Sequence, residues 1–347
     1  MTVLYADEDT GQAIVTHSMI KQFRRCPKAT QYKYAERLRP KMEGQALHRG
    51  KWVHACLEVH YKGGDWREEH ARWVNQFGRL FDEEKARLGN LPWEIERLMK
   101  GYFWHYKFDQ DWKVLETEFT MEAELPDGTL YRCRADNLVE TPYGVFLVDH
   151  KSHKTLPGHE FRLRDTQSPL YIWCARKNGI PVQGFIWNYL RTSVQSKWRF
   201  KKNGDLYARI GDTDYPSAFT DLKAADKNPK DEMWADRLKV LRNMRYEFGR
   251  EQLSPFFRRV VMEKDDAMIK QCLREAIHTV KRMHKYPFNK VDWVERVPDR
   301  SCDWCSFREV CTTELIGGNV DFIRRKGFKV GDPMDYYQEQ KEYVSNE

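Results

Sequence analysis

Two aspartates and a lysine sit where a hairpin would bring them together. The runs Tyr131-Arg-Cys-Arg-Ala-Asp136-Asn-Leu-Val-Glu140 and Val145-Phe-Leu-Val-Asp149-His-Lys151 flank Thr-Pro-Tyr-Gly. Pro142 second and Gly144 last suit a type I turn. Symmetric pairing about Pro142-Tyr143 puts Asp136 directly opposite Asp149, with Cβ atoms roughly 5 Å apart. Residues two apart in a strand share a face, so Lys151 joins the carboxylates and His150 points away. Opposed carboxylates repel unless positive charge lies between them, which makes a divalent metal the natural occupant. The neighbours Leu138, Val139, Val145, Phe146, Leu147 and Val148 are apolar on both faces, as in a buried sheet. Charge in the middle of such strands is costly without a purpose.

A second constellation is Cys302-x2-Cys305-x5-Cys311. Three closely spaced thiols in a reducing compartment suggest ligation of a metal, and a tetrahedral iron–sulfur or zinc site wants a fourth ligand. Cys26, in Arg24-Arg25-Cys26-Pro27, is the best donor. It would close a loop of roughly 275 residues, whose entropic cost grows only logarithmically with length. A three-cysteine zinc knuckle completed by a histidine has the same spacing. Cys56, Cys133, Cys174 and Cys272 fall within expected helices or strands and read as small buried hydrophobes.

The elements that must position these groups follow from periodicity and punctuation. Helices are expected over 18–38 (Ser18 as N-cap), from about Ala46 to Tyr61, over Trp66 to Leu88 and over Pro92 to Phe108. Strands are expected at Val114–Glu124, Leu130–Glu140 and Val145–His150. A helix from Asp165 to Lys177 and a strand at Val182–Thr192 follow. The order gives an α/β core with a mixed central sheet flanked by helices. A hairpin around Asn203-Gly204, a mostly helical stretch from Ser217 to Tyr286 and a polar tail over 312–347 complete the chain. Residues 1–311 read as one unit. It has a helical insertion at about 62–110, a core at about 112–195, a helical part at 217–290 and a clasp joining Cys26 to 302–311.

The 347 residues are enough for a large packed core, and 41% are hydrophobic. With 32% charged residues and a mean hydropathy of −0.79, the chain reads as soluble. No apolar run reaches the roughly 20 residues of a membrane helix. The start has no basic region followed by an apolar stretch, so the expectation is a cytoplasmic protein, in the host cytoplasm if phage-encoded. A net charge of +7 fits a polyanionic partner.

The series of motifs resembles RecB-family nucleases of the PD-(D/E)XK superfamily that carry an iron–sulfur clasp. This group includes CRISPR-associated RecB-like exonucleases, AddB subunits and phage proteins. The resemblance runs in order through Ser18-Met-Ile-Lys-Gln-Phe-Arg-Arg-Cys26-Pro27, Arg49-Gly50-Lys-Trp-Val-His54, Asp136, Asp149-x-Lys151, Gln167-x3-Tyr171 and the three late cysteines. Cys133 stands where a glycine is common, and His150 where an aromatic is usual. The resemblance implies a PD-(D/E)XK restriction-endonuclease-like core with helical insertions. It implies Mg²⁺ or Mn²⁺ held by His54, Asp136, Asp149 and the carbonyl of His150. It assigns Lys151 to the reacting phosphate, Gln167 and Tyr171 to the DNA backbone and the edge of the site, and Cys26, Cys302, Cys305 and Cys311 to a structural [4Fe–4S] cluster. Zinc is the alternative at the cysteines. Glu118 could assist the metal but falls outside the motif set, and Glu58 reads as surface.

Basic residues interleaved with aromatics could line a single-strand path: Trp187, Tyr189, Arg191, Lys197, Trp198, Arg199, Phe200, Lys201 and Lys202. The expected function is a metal-dependent DNA exonuclease acting on single strands or duplex ends in phage or bacterial recombination and repair, with helicase or recombination proteins as the expected partners. The competing readings are a non-catalytic recombination accessory protein of the same fold, a structure-specific endonuclease and a zinc protein with structural cysteines.

Overall fold

The structure, a computed structural model, describes residues 4–7, 10–107, 112–193, 195–203, 205–206, 209–247 and 254–334. Its strands are β1 (Ile14–Val15), β2 (Leu38–Pro40), β3 (Lys113–Glu124), β4 (Leu130–Thr141), β5 (Gly144–His153), β6 (Val182–Arg191), β7 (Phe257–Glu263) and β8 (Phe328–Val330). The helices begin with α1 (His17–Arg25), α2 (Pro27–Thr30), α3 (Gln45–Tyr61), α4 (Trp66–Gly78), α5 (Asp82–Leu88) and α6 (Leu91–His105). They continue with α7 (His159–Leu163), α8 (Gln167–Lys177), α9 (Tyr215–Ala224), α10 (Glu232–Asn243), α11 (Asp266–Lys285), α12 (Arg308–Leu315) and α13 (Val320–Gly327).

β1, β4, β5, β6 and β7 form a mixed sheet in that order, with β3 on the other edge of β4. β5 and β6 are parallel, while β3–β4, β4–β5 and β6–β7 are antiparallel. Because β3 occupies one edge of β4 along its length, β1 and β5 share the opposite edge at its two ends. Helices α1, α8 and α11 bury one face of the sheet, and α3 and α6 cover the other. Coverage on both sides explains the apolar runs of β4, β5 and β6, which are buried nearly throughout. The hairpin turn is as expected: Thr141 pairs with Gly144, whose φ of 115° suits glycine.

Several expectations are corrected. The first helix is capped by Thr16, whose Oγ1 accepts from Met19 N–H at 3.3 Å, and it ends at Cys26 before Pro27. The Trp66–Leu88 pattern divides into α4 and α5. Of the expected hairpin around Asn203-Gly204, Gly204 lies outside the described residues, and the described residues beside it form an isolated bridge, Phe200 to Leu206. The stretch after Ser217 is not all helical, since Phe257–Glu263 is an edge strand of the main sheet. The supposed tail is folded as far as Met334: α12 carries Cys311 and runs on to Leu315, α13 and β8 follow, and β8 pairs with β2. Residues 335–347 lie outside the described set.

His105 ends α6 in a buried aromatic cluster with Tyr106, Tyr246 and Phe257. Burial, with the Arg259 and Arg245 charges beside it, lowers its pKa to about 3. The unfolded chain therefore protonates this histidine near pH 6.5 while the fold does not. Its stabilising contribution is complete above pH 6.5 and is lost as pH falls toward 3. At pH 5 the loss is about 2 kcal/mol. His105→Phe should blunt the fall in Tm between pH 7 and pH 5; an unchanged fall would remove His105 as its source.

Candidate active site

The β4–β5 register is Asn137 with Val148 and Leu138 with Leu147, so the next residues out are Asp136 and Asp149. Asp136 accepts the backbone N–H of His150 on its Oδ2. Its Oδ1 lies 3.3 Å from Nδ1 of His54, which α3 delivers. The side-chain ligand atoms of His54, Glu118 and Asp136 all lie within 4.8 Å of one another, the one such cluster among the described residues.

Glu118 enters through a break in strand alternation. Along β4 the residues facing the α8 core are Tyr131, Cys133 and Ala135, then Leu138. Asn137 faces the other way, bonded to His150, with Val139 in the opposite core. The skip falls at Asp136. Its β3 counterpart is Glu118, at φ 53°, between the pairs Thr117–Asn137 and Phe119–Ala135. A non-glycine residue held there costs of order 1–3 kcal/mol, and such strain collects at functional sites. The irregularity turns both carboxylates toward His54. Glu118 also forms an ion pair with Arg134, its Oε2 2.8 Å from Nε, both groups being buried.

Charge balance defines the site. Burial raises Glu118 to about 8, Asp136 adding to the effect and Arg134 opposing it. Burial works against charging His54, but Asp136 overrides it and lifts the imidazole to about 9. Asp136 is held well below the usual carboxylate range, its burial outweighed by His54. The site thus retains protons on Glu118 and His54 at neutral pH, which a divalent cation would displace. An imidazole with two or three carboxylates is a hard, oxygen-rich donor set that fits Mg²⁺ or Mn²⁺.

Asp149 stands beside this group. Gln167 Nε2 donates to its Oδ1 at 2.8 Å, and Lys151 pairs with its Oδ2. Burial raises the Asp149 pKa, against Lys151. Burial disfavours charge on Lys151, but Asp149 and Asp136 override it and raise its pKa, so it remains an ammonium. Lys151 Nζ lies 5.6 Å from the Trp187 ring centroid. The His150 side chain points to the opposite face, as expected. Its nitrogens meet Asn137 at 3.1 Å and Asn188 at 2.8 Å, and its ring stacks on Tyr61 at 5.5 Å. Tyr171, one turn beyond Gln167, is buried with its ring edge-on to Phe185 at 5.9 Å.

Three of the four expected cysteines share one apolar cluster. Cys26, Cys305 and Cys311 pack around Ala29, Tyr32, Leu38, Phe307, Val310 and Phe328. Burial raises the Cys305 thiol, and Cys26 and Cys302 act on it as neighbours.

The single-strand path is corrected in part. Trp198 is 2% exposed in the core of the α9–α10 unit, against Ala218, Leu222 and Trp234, so its ring is closed to a base. Trp187 and Tyr189 are fully buried as well. Lys197 and Arg199 are exposed, while Arg191 is half-buried, its guanidinium 5.8 Å from the Phe256 ring centroid. Glu118 is the residue that sequence reasoning undervalued. Its signal was its place opposite Asp136 on the preceding strand.

Residues 14–312 match the PD-(D/E)XK nuclease superfamily. Two solved structures are similar to this chain. One is a protein from Eubacterium rectale described as a candidate exonuclease, with 14% identity, 84% of this chain and 86% of that chain covered and a TM-score of 0.42. The other is described as SSO0001, with 11% identity, 90% of each chain covered and a TM-score of 0.33. No curated protein sequence matches.

Proposed function

The chain belongs to the PD-(D/E)XK nuclease superfamily, and from that premise we propose that it is a metal-dependent DNA exonuclease acting on single strands or duplex ends. The observation that carries the reading is the gathering of His54, Glu118 and Asp136, with the Asp149–Lys151 pair beside them. His54, Glu118 and Asp136 would hold Mg²⁺ or Mn²⁺, with Asp149 and the His150 carbonyl completing the set. The ion, when bound, polarises a phosphate oxygen and lowers the pKa of a water. Lys151 places a fixed ammonium beside the reacting phosphate, where negative charge grows during attack. Asp149 holds that ammonium and is itself oriented by Gln167. His54 must give up its proton before it can bind a cation, which couples loading of the site to proton release.

We also propose that Cys26, Cys302, Cys305 and Cys311 hold a structural [4Fe–4S] cluster that fastens the first helices to α12. Protein purified without oxygen should carry about four irons per chain and absorb broadly in the visible; stoichiometric zinc with no visible band would overturn this.

The function is tested on end-labelled linear single-stranded DNA with Mn²⁺, Mg²⁺ or EDTA. Metal-dependent loss of the strand from an end, with circular single strands left intact, is expected. Cleavage of circles would make the enzyme an endonuclease. Inactivity with every metal in folded, cluster-loaded protein would favour the accessory-protein reading.

A further inference from the structure

We propose that Arg162 is a second phosphate-binding cation of the site, gripping a backbone phosphate of the DNA strand next to the one that Lys151 serves. The inference rests on the nuclease reading and adds a substrate contact to it. Arg162 lies on α7, outside every motif used above.

Its guanidinium is fixed before any ligand arrives. Nε donates to the hydroxyl of Tyr189. The guanidinium carbon lies 3.8 Å from the Trp187 ring centroid, on the ring that also carries Lys151 at 5.6 Å. Nη1 is 3.8 Å from Asp165. The backbone is pinned too: buried Lys264 donates to the carbonyls of Arg162 and Leu163, each at 2.9 Å. Among the described residues Nη1 and Nη2 have no hydrogen-bond partner, yet neither is sealed from solvent. A shaft held this firmly, in a residue 6% exposed whose terminal nitrogens make no hydrogen bond among the described residues, is preorganised for an oxyanion, and the guanidinium fork matches phosphate geometry.

Three cations gather around this corner. Lys151 is balanced by Asp149 and Asp136, Arg162 by Asp165, and Lys264 by Asp165 and Asp265. Arg162 opposes the charging of Lys151, so the two cations feel each other. His17 and His153 border the corner as neutral rings, since burial lowers the pKa of both.

The test is binding of fluorescent oligo-dT in EDTA, which needs no cleavage, across a range of salt. Arg162→Gln should weaken binding about tenfold and lower the salt slope by about one, as for loss of a single phosphate contact. Tyr189→Phe, a milder change that frees the guanidinium, should weaken binding about threefold. Thermal melts of both variants confirm folding. Should Arg162→Gln fail to fold, Tyr189→Phe alone decides. Wild-type affinity in the folded variants, or weaker binding with an unchanged slope in Arg162→Gln, would overturn the proposal. Binding that depends on Arg162 in a protein that cleaves nothing with any metal would instead defeat the nuclease reading and leave the phosphate site standing.

Discussion

Lys151→Ala should lower the rate of phosphodiester cleavage by about 10²–10³ while leaving divalent-metal binding intact. The first part follows from electrostatics: removing one preorganised donor from a developing oxyanion typically lowers kcat by about that factor. The second part is specific to this site. Lys151 is not a ligand but the counter-ion of Asp149, and both carboxylates raise its pKa. Without the ammonium, Asp149 and Asp136 repel each other unscreened, so a cation should bind at least as well as before. Mn²⁺ titration by calorimetry, paired with single-turnover cleavage, reads both parts. Equal loss of metal affinity and cleavage would mean that Lys151 organises the metal site. Full activity would move the chemistry elsewhere.

What the sequence revealed was what depends on near neighbours. A four-residue turn sets the register of β4 and β5, so the opposition of Asp136 and Asp149 could be read from spacing alone. The i, i+2 rule placed Lys151 with them and turned His150 away. What it concealed depends on distant partners. β7 reads as part of a helical stretch because its place is fixed by β6, about 70 residues earlier. The segment after Cys311 is polar enough to suggest a loose tail, yet β8 finds β2 some 290 residues upstream, and Arg324 pairs with Glu36 at 2.6 Å. Trp198 looked like a stacking platform because composition does not say which way a ring points; its neighbours in α9 and α10 decided that. His54 was within reach only through family resemblance. Nothing in the composition of α3 marks it, and the contact with Asp136 arises from helix packing on the sheet.

Glu118 joins both lines of argument, and its replacement should separate metal binding from stability. In strict β alternation, Glu118 and Asp136 would not both turn toward His54; the left-handed backbone at Glu118 and the skip at Asp136 make it possible. Glu118→Gln preserves the shape and keeps a polar group beside Arg134, so the fold should survive. The amide cannot replace the anionic ligand, and Mn²⁺ affinity should fall at least about tenfold, with cleavage at limiting metal falling in parallel. Glu118→Ala removes the polar group as well. Arg134 would then lose its buried carboxyl partner, and the loss should be of order 3 kcal/mol. Calorimetry and melting curves on the two variants distinguish the roles. Unchanged metal affinity in Glu118→Gln would reduce Glu118 to a partner for Arg134. Weak metal binding with equal melting points in both variants would make it a ligand whose contact with Arg134 contributes nothing to the fold.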